Sequence, residues 1–170
     1  MKKGKILKLI LFIVIVIFSF CECKTSGSSS PTGKLISNSD CLKSTSNGNN
    51  LTTSSNDPAY EIISYKYDGN VLKITHQNAA FNCCPGKIGG KTIIESKKIL
   101  INEKESKSEC CCTCLYRLNY EITELIPDNY TLIIFSNYIP NKNHTLICNI
   151  DLINNKQGVF KFSRNSYPWI

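Results

Sequence analysis

The residues of this sequence with the greatest chemical potential are its cysteines. Ten occur in 170 residues, and six of them lie in two short segments, Asn82–Pro85 and Cys110–Cys114. Grouped thiols can pair as disulfides, bind zinc or copper, or act as nucleophiles. An even number of cysteines in an exported chain favours disulfides, because oxidising compartments keep them formed. The candidates for disulfide bonds are Cys83, Cys84, Cys110, Cys111, Cys112, Cys114 and Cys148.

Strand geometry limits which of these cysteines can pair. Apolar residues occupy the even positions from Cys112 to Ile122, which predicts a strand whose even face is buried. Residues two apart on a strand point the same way and lie about 6.6–7 Å apart, which is too far for an easy disulfide. Cys112 and Cys114 therefore need partners on another segment, and Cys83 and Cys84 are the obvious ones. Cys41 could be a free thiol or a further partner.

His76 suggests a second possible chemistry. It is in phase with Leu72 and Ile74, so it should face the core, and continued alternation would turn Cys84 the same way. A buried imidazole with the thiolates of Cys84, Cys112 and Cys114 could hold zinc or copper. The spacing lacks the Cys-x-x-Cys pairs of structural zinc modules, so we favour disulfides and expect no cofactor. For His76 alone we favour a hydrogen-bonded core histidine over a metal ligand.

The cysteine pattern resembles that of a group of cysteine-rich bacterial lipoproteins that have no assigned activity. The likeness rests on His76, the Asn82-Cys83-Cys84 element and the Cys110–Cys114 cluster that opens a strand, and it covers about residues 60–136. The resemblance implies export and a β domain, but it implies no reaction.

Catalysis has little support in the sequence. A cysteine nucleophile needs a paired base, and His144 has no identifiable partner. The segment from Pro85 to Thr92 ends in Gly-Lys-Thr like a phosphate-binding loop, but it lacks the required spacing between its glycines. We therefore predict a turn there and a protein that is not an enzyme.

The elements that would position these residues are short strands. Tyr60–Tyr67 and Val71–Gln77 flank Asp68-Gly69-Asn70, which is a strong hairpin signal. Further strands are predicted at 91–95, 98–101, 129–136, 144–152 and 157–163. Seven or eight strands predict an all-β fold, which we interpret as an immunoglobulin-like or fibronectin-like β-sandwich. The position of Tyr130 is similar to that of the corner tyrosine in such domains.

The N-terminus predicts export. Four lysines precede an apolar run from Leu9 to Phe20, which is too short for a typical membrane span and suits a secretory signal. Cys21 stands where the acylated cysteine of a lipoprotein would stand, although Phe20 departs from the small residue expected there. Cleavage near Cys23 or Gly27, giving a secreted protein, and a retained anchor are the alternatives.

Composition divides the rest of the chain. From Thr25 to Asn56, 23 of 32 residues are Ser, Thr, Asn or Gly, which predicts disorder because little apolar surface can be buried. We therefore expect a leader at residues 1–20, a disordered tether at 21–57 and a cysteine-rich β domain at 58–170.

Charge and location narrow the function classes. The formal charge is +7, but Lys2, Lys3, Lys5 and Lys8 belong to the leader, and the remaining lysines are interspersed with glutamates. This scatter argues against a nucleic-acid partner. The sequence favours a non-catalytic module of the cell envelope or surface, attached to the membrane by a lipid anchor, with a protein or glycan partner. The alternative is a thiol-based metal-binding or redox protein of the envelope.

Overall fold

A computed structural model describes residues 29–42, 60–107, 112–136 and 144–164 of the chain. The described residues form nine strands and no helix long and apolar enough to cross a membrane. The strands are β1 (Thr32–Asn38), β2 (Tyr60–Asp68), β3 (Val71–Asn82), β4 (Ile88–Glu95), β5 (Lys98–Glu105), β6 (Thr113–Thr123), β7 (Asn129–Ser136), β8 (His144–Asp151) and β9 (Gln157–Ser163).

All nine strands belong to one mixed sheet in the order β8-β7-β5-β4-β1-β6-β3-β2-β9. Every neighbouring pair is antiparallel except β5 and β7, which run parallel. The sheet curls until its two edge strands, β8 and β9, lie near each other, so it is nearly closed. Its inner face forms one continuous apolar core to which seven of the strands, all but β1 and β9, contribute buried side chains.

The prediction of an all-β fold is confirmed, but the two-sheet sandwich is wrong because the strands form a single sheet. The corner feature that suggested a sandwich is present: the Tyr130 hydroxyl donates to the Ile126 carbonyl oxygen at 2.9 Å. Such a local bond does not determine how many sheets the strands form. Alternation specifies which face of a strand is buried, and it leaves the choice of neighbouring strand open.

β1 lies inside the segment that composition predicted to be disordered, so the tether of 21–57 and the domain start at residue 58 are wrong for residues 32–38. β1 pairs with β4 on one side and with β6 on the other. Its backbone therefore gains hydrogen bonds along both edges, and Leu35 packs against the core. Pairing with neighbours overrides the weak strand preference of a Ser/Asn-rich segment.

A β-bulge in β3 changes which cysteine faces the core. The register to β6 shifts between Gln77 and Ala79, and Asn78 between them has φ of 63°. An extra residue reverses the alternation, so Ala79 and Phe81 continue the buried face and Cys83 packs against it. The expectation that Cys84 shares the face of His76 is therefore wrong, and Cys84 is exposed.

Gly90 in β4 leaves the space that is filled by the largest fully buried side chain of the described residues, that of Tyr120. Tyr120 of β6 is 1% exposed, and its ring lies directly against Gly90. A Cβ at residue 90 would stand 2.5 Å from Tyr120 Cε1 and 2.7 Å from its hydroxyl oxygen. The neighbouring Gly89 faces outward, where a Cβ would meet only the Lys104 carbonyl oxygen at 3.9 Å.

This difference predicts unequal effects on stability for two adjacent substitutions. Gly90→Ala should lower the free energy of unfolding by about 1–3 kcal/mol, because the added methyl group overpacks the core against Tyr120. Gly89→Ala should change it by less than about 0.5 kcal/mol, as surface substitutions usually do. Urea unfolding followed by circular dichroism measures both, and equal destabilisation would contradict the inward position of Tyr120.

Candidate functional site

His76 lies at the centre of a buried ionic cluster. The side chain is fully buried, and Nδ1 stands 2.9 Å and 3.0 Å from the two carboxylate oxygens of Glu103. On the other side of the ring, Nε2 lies 2.8 Å from Glu61 Oε1. The prediction of a hydrogen-bonded core histidine is confirmed, although sequence reasoning identified neither glutamate.

The two carboxylates determine the charge of the imidazole. Burial alone would lower the pKa of His76, but the charge and hydrogen bonds of Glu103 and Glu61 outweigh it and raise that pKa to about 10. His76 is therefore protonated at neutral pH, and both ring nitrogens donate. Arg164, just beyond β9, pairs with Glu61 as a second cation, so two buried anions face two cations.

Tyr120 completes the cluster by donating its hydroxyl proton to Glu103 Oε1 at 3.0 Å. Burial and the nearby negative charge of Glu103 raise the pKa of Tyr120, so the phenol stays protonated and keeps donating. Buried ions are tolerated only when they are paired and hydrogen-bonded. The cluster meets this condition with residues from β2, β3, β5 and β6 and with Arg164 just beyond β9.

The geometry limits what the cluster can do chemically. Both imidazole nitrogens are engaged by carboxylates, and the side chains of His76, Glu61 and Glu103 are at most 1% exposed. A protonated imidazole has no lone pair to offer a metal ion or a substrate. Within the described parts of the chain, no group of three or more His, Cys, Asp or Glu residues is arranged to hold a metal ion.

The cysteines form disulfides. Cys83 pairs with Cys112, which links the Asn-Cys-Cys segment to the start of β6 as predicted, and Cys114 pairs with Cys41. Cys84 is disulfide-bonded as well. Cys112 and Cys114 thus have separate partners, as their positions two apart on a strand require. Such bonds persist in oxidising compartments, so the structure indicates an extracytoplasmic setting.

Two sequence-based assignments need correction. Cys148 is not in a disulfide; it is a free thiol on β8, 2% exposed, and it lies in the core opposite Leu132 of β7. Burial raises its pKa to about 11, which keeps the thiol protonated and unreactive. The alternative metal site of His76, Cys84, Cys112 and Cys114 is also wrong, because its three sulfurs are in disulfides and its imidazole is ion-paired. Cys21, Cys110 and Cys111 lie outside the described residues.

The outer face of the sheet carries a feature that the sequence did not reveal. An open cleft of about 510 Å³ lies over Gly89 and Gly90, lined by Lys87, Lys91, Lys104, Glu105 and Ser106. An adjoining cleft of about 480 Å³ extends it towards Lys34 on β1. Sequence reasoning predicted a turn over 85–92, whereas β4 begins at Ile88. The glycine pair within a strand was the available signal.

No protein-family model, curated protein or solved structure matches this chain. The resemblance to cysteine-rich bacterial lipoproteins therefore stays a prediction from the sequence.

The raised pKa of His76 predicts how stability depends on pH. The folded-state pKa of about 10 exceeds the unfolded value of about 6.5, so the contribution of this group is complete below about pH 6.5. It is lost as pH rises towards 10, with a slope of up to about 1.4 kcal/mol per pH unit. Urea unfolding between pH 6 and 10 should show this decline, and His76→Gln should remove it.

The charge of His76 can also be measured on the unaltered protein, so the test does not depend on the folding of a variant. The NMR shifts of the His76 imidazole should remain those of the protonated ring through pH 8. Titration of this ring near pH 6.5 would contradict the pairing with Glu61 and Glu103.

The Cys41–Cys114 and Cys83–Cys112 disulfides should contribute unequally to stability. Cys41–Cys114 joins residues 73 apart and Cys83–Cys112 residues 29 apart, which correspond to about 4.4 and about 3.6 kcal/mol in the chain-entropy model. Cys41→Ala/Cys114→Ala should therefore lower the thermal midpoint more than Cys83→Ala/Cys112→Ala. Calorimetry compares the two, with EDTA on the unaltered protein as a control that should have no effect.

Proposed function

We propose that this chain is an exported, non-catalytic module of the cell envelope or cell surface, held at the membrane by an N-terminal lipid anchor. The observation that carries the proposal is the pair of disulfides, which join the β1 segment and the β3–β4 connection to β6. They are suited to a domain that must stay folded outside the cell. The apolar run ending at Phe20 and the position of Cys21 supply the signal and the acylation site.

The distribution of reactive groups supports a non-catalytic role. His76, Glu61 and Glu103 neutralise one another inside the core, and the thiol of Cys148 is buried and protonated. The alternative of a thiol-based metal or redox protein has less support. Its proposed ligands Cys84, Cys112 and Cys114 are disulfide-bonded, and they would have to be reduced before they could bind a metal.

The position of β1 limits how far the domain stands from its anchor. Only residues 22–31 separate Cys21 from the start of β1 at Thr32. Ten residues span at most roughly 35 Å when fully extended. A lipid on Cys21 would therefore hold the domain close to the membrane surface.

Processing in the native host tests the proposal. Intact-mass measurement should show loss of residues 1–20 and an acyl mass on Cys21, and cell fractionation should place the protein with membranes. Cys21→Ala should move it out of the membrane fraction, whereas Cys148→Ala should leave it there as the matched control. A chain that still begins at Met1 would contradict both the lipoprotein and the secreted form.

A further inference from the structure

The cleft over β4 is a recess whose walls are lysines. Gly89 faces outward and has no side chain, while Lys87 and Lys91 lie two residues to either side of it and Lys104 lies opposite on β5. Lys34 of β1 pairs in register with Lys91 and lines the same recess. We call this group of four lysines around Gly89 the lysine recess.

None of the four ammonium groups forms an ion pair among the described residues, although Glu121 of β6 lies opposite Lys34 in the strand register. The carboxylate that lines the cleft, Glu105, is half-buried and accepts a hydrogen bond from the Asn82 backbone N–H at 2.9 Å. Lys34 and Lys91 lie directly opposite each other on neighbouring strands. Like charges in such positions destabilise a sheet. A bound anion would relieve this repulsion.

Further lysines extend the positive surface away from the recess. Strand registers connect Lys91 to Lys34, Lys34 to Glu121, Glu121 to Lys73 and Lys73 to Lys66. These residues form one row across five adjacent strands, with four lysines and one glutamate. At a strand spacing of about 4.8 Å, the row is roughly 19 Å long. We call it the lysine row.

Next to the lysine row, two residues further along the strands, lies a second row of side chains that are polar and uncharged. Ser64 pairs with Thr75, and Thr75 pairs with Asn119. The Thr75 hydroxyl donates to Asn119 Oδ1 at 2.9 Å, and Asn119 Nδ2 donates to Ser37 Oγ at 3.0 Å. Hydroxyl and amide groups that are already ordered can exchange hydrogen bonds with the hydroxyl groups of a sugar.

We propose that this face binds an acidic polysaccharide, with one carboxylate or sulfate group seated in the lysine recess over Gly89 and the chain following the lysine row. Because Gly89 has no side chain, an anionic group in the recess can approach the β4 backbone there. The row offers further cations at the spacing of neighbouring strands. The surface exists whether or not Cys21 carries a lipid, so its test is independent of the anchor.

Two other anionic partners fit this surface less well. A bilayer is flat and would leave the concavity over Gly89 unfilled, whereas a projecting anionic group of a polymer fills it. Single-stranded nucleic acid needs exposed aromatic rings on which its bases stack. The exposed large apolar residues beside the recess are Ile36 and Ile93, which are aliphatic.

The experiment compares dextran sulfate with uncharged dextran, which share a backbone and differ in charge. The full-length, oxidised chain is immobilised in mild detergent, and binding is measured at several salt concentrations. Dextran sulfate should bind, and its binding should weaken as the salt concentration rises. Uncharged dextran should not bind. Gly89→Val should weaken binding by roughly tenfold, because its side chain fills the recess. Lys104→Gln should weaken binding by about two- to fivefold.

Lys98→Gln is the matched control, because Lys98 lies on the same strand and outer face as Lys104 but six residues away. This variant should bind like the unaltered chain. An equal loss in Lys98→Gln and Lys104→Gln would overturn the proposal in favour of general charge attraction. The proposal would also be overturned if Gly89→Val bound dextran sulfate as well as the unaltered chain does and had the same thermal midpoint.

Competitors distinguish the remaining partners. Glycerophosphoglycerol, the soluble headgroup of an anionic lipid, and poly(dT) should both displace dextran sulfate poorly. If the headgroup displaces bound dextran sulfate at a lower concentration than free dextran sulfate does, the partner is a membrane surface instead. Tighter binding of poly(dT) would identify a nucleic-acid partner. Failure of all binding would refute this inference and leave the processing experiment on Cys21 unaffected.

Discussion

The structure depends on keeping charge balanced inside its core. Glu61 and Glu103 are both fully buried, and an unpaired buried carboxylate would be strongly destabilising. His76 lies between them as a cation, and Arg164 pairs with Glu61 from beyond the last strand. These contacts require β2, β3, β5 and β9 to meet at one place, which demands the curled sheet. They also explain the need for Gly90, which makes room for the tyrosine that donates to Glu103.

The sequence predicted well what depends on local patterns. Alternation of apolar residues identified eight of the nine strands, and it correctly placed His76 on the buried face. The corner hydrogen bond of Tyr130 and the link between the Cys83 segment and Cys112 also followed from local geometry. In each case neighbouring residues along the chain contain the necessary information.

What the sequence could not predict depends on contacts between distant segments. β1 is ordered by pairing with β4 and β6, which lie more than 50 residues later in the chain, and nothing in its own composition indicates this. One extra residue at Asn78 reversed the facing of Cys83 and Cys84. The partners of His76 are residues of two other strands. The lysines appear scattered among glutamates in the sequence and become a row only when their strands are aligned.

The central position of β1 has a mechanical consequence. In an anchored protein, any force reaches the domain through its N-terminal end, so it would pull β1 along its own axis. The hydrogen bonds to β4 and β6 would then be loaded together in shear, instead of being broken one after another as in the peeling of an edge strand. If β1 did slide out, the Cys41–Cys114 bond would pass the force directly to the middle of the sheet. An anchor at the N-terminal end would thus load the domain in the direction in which its central strand is held most strongly.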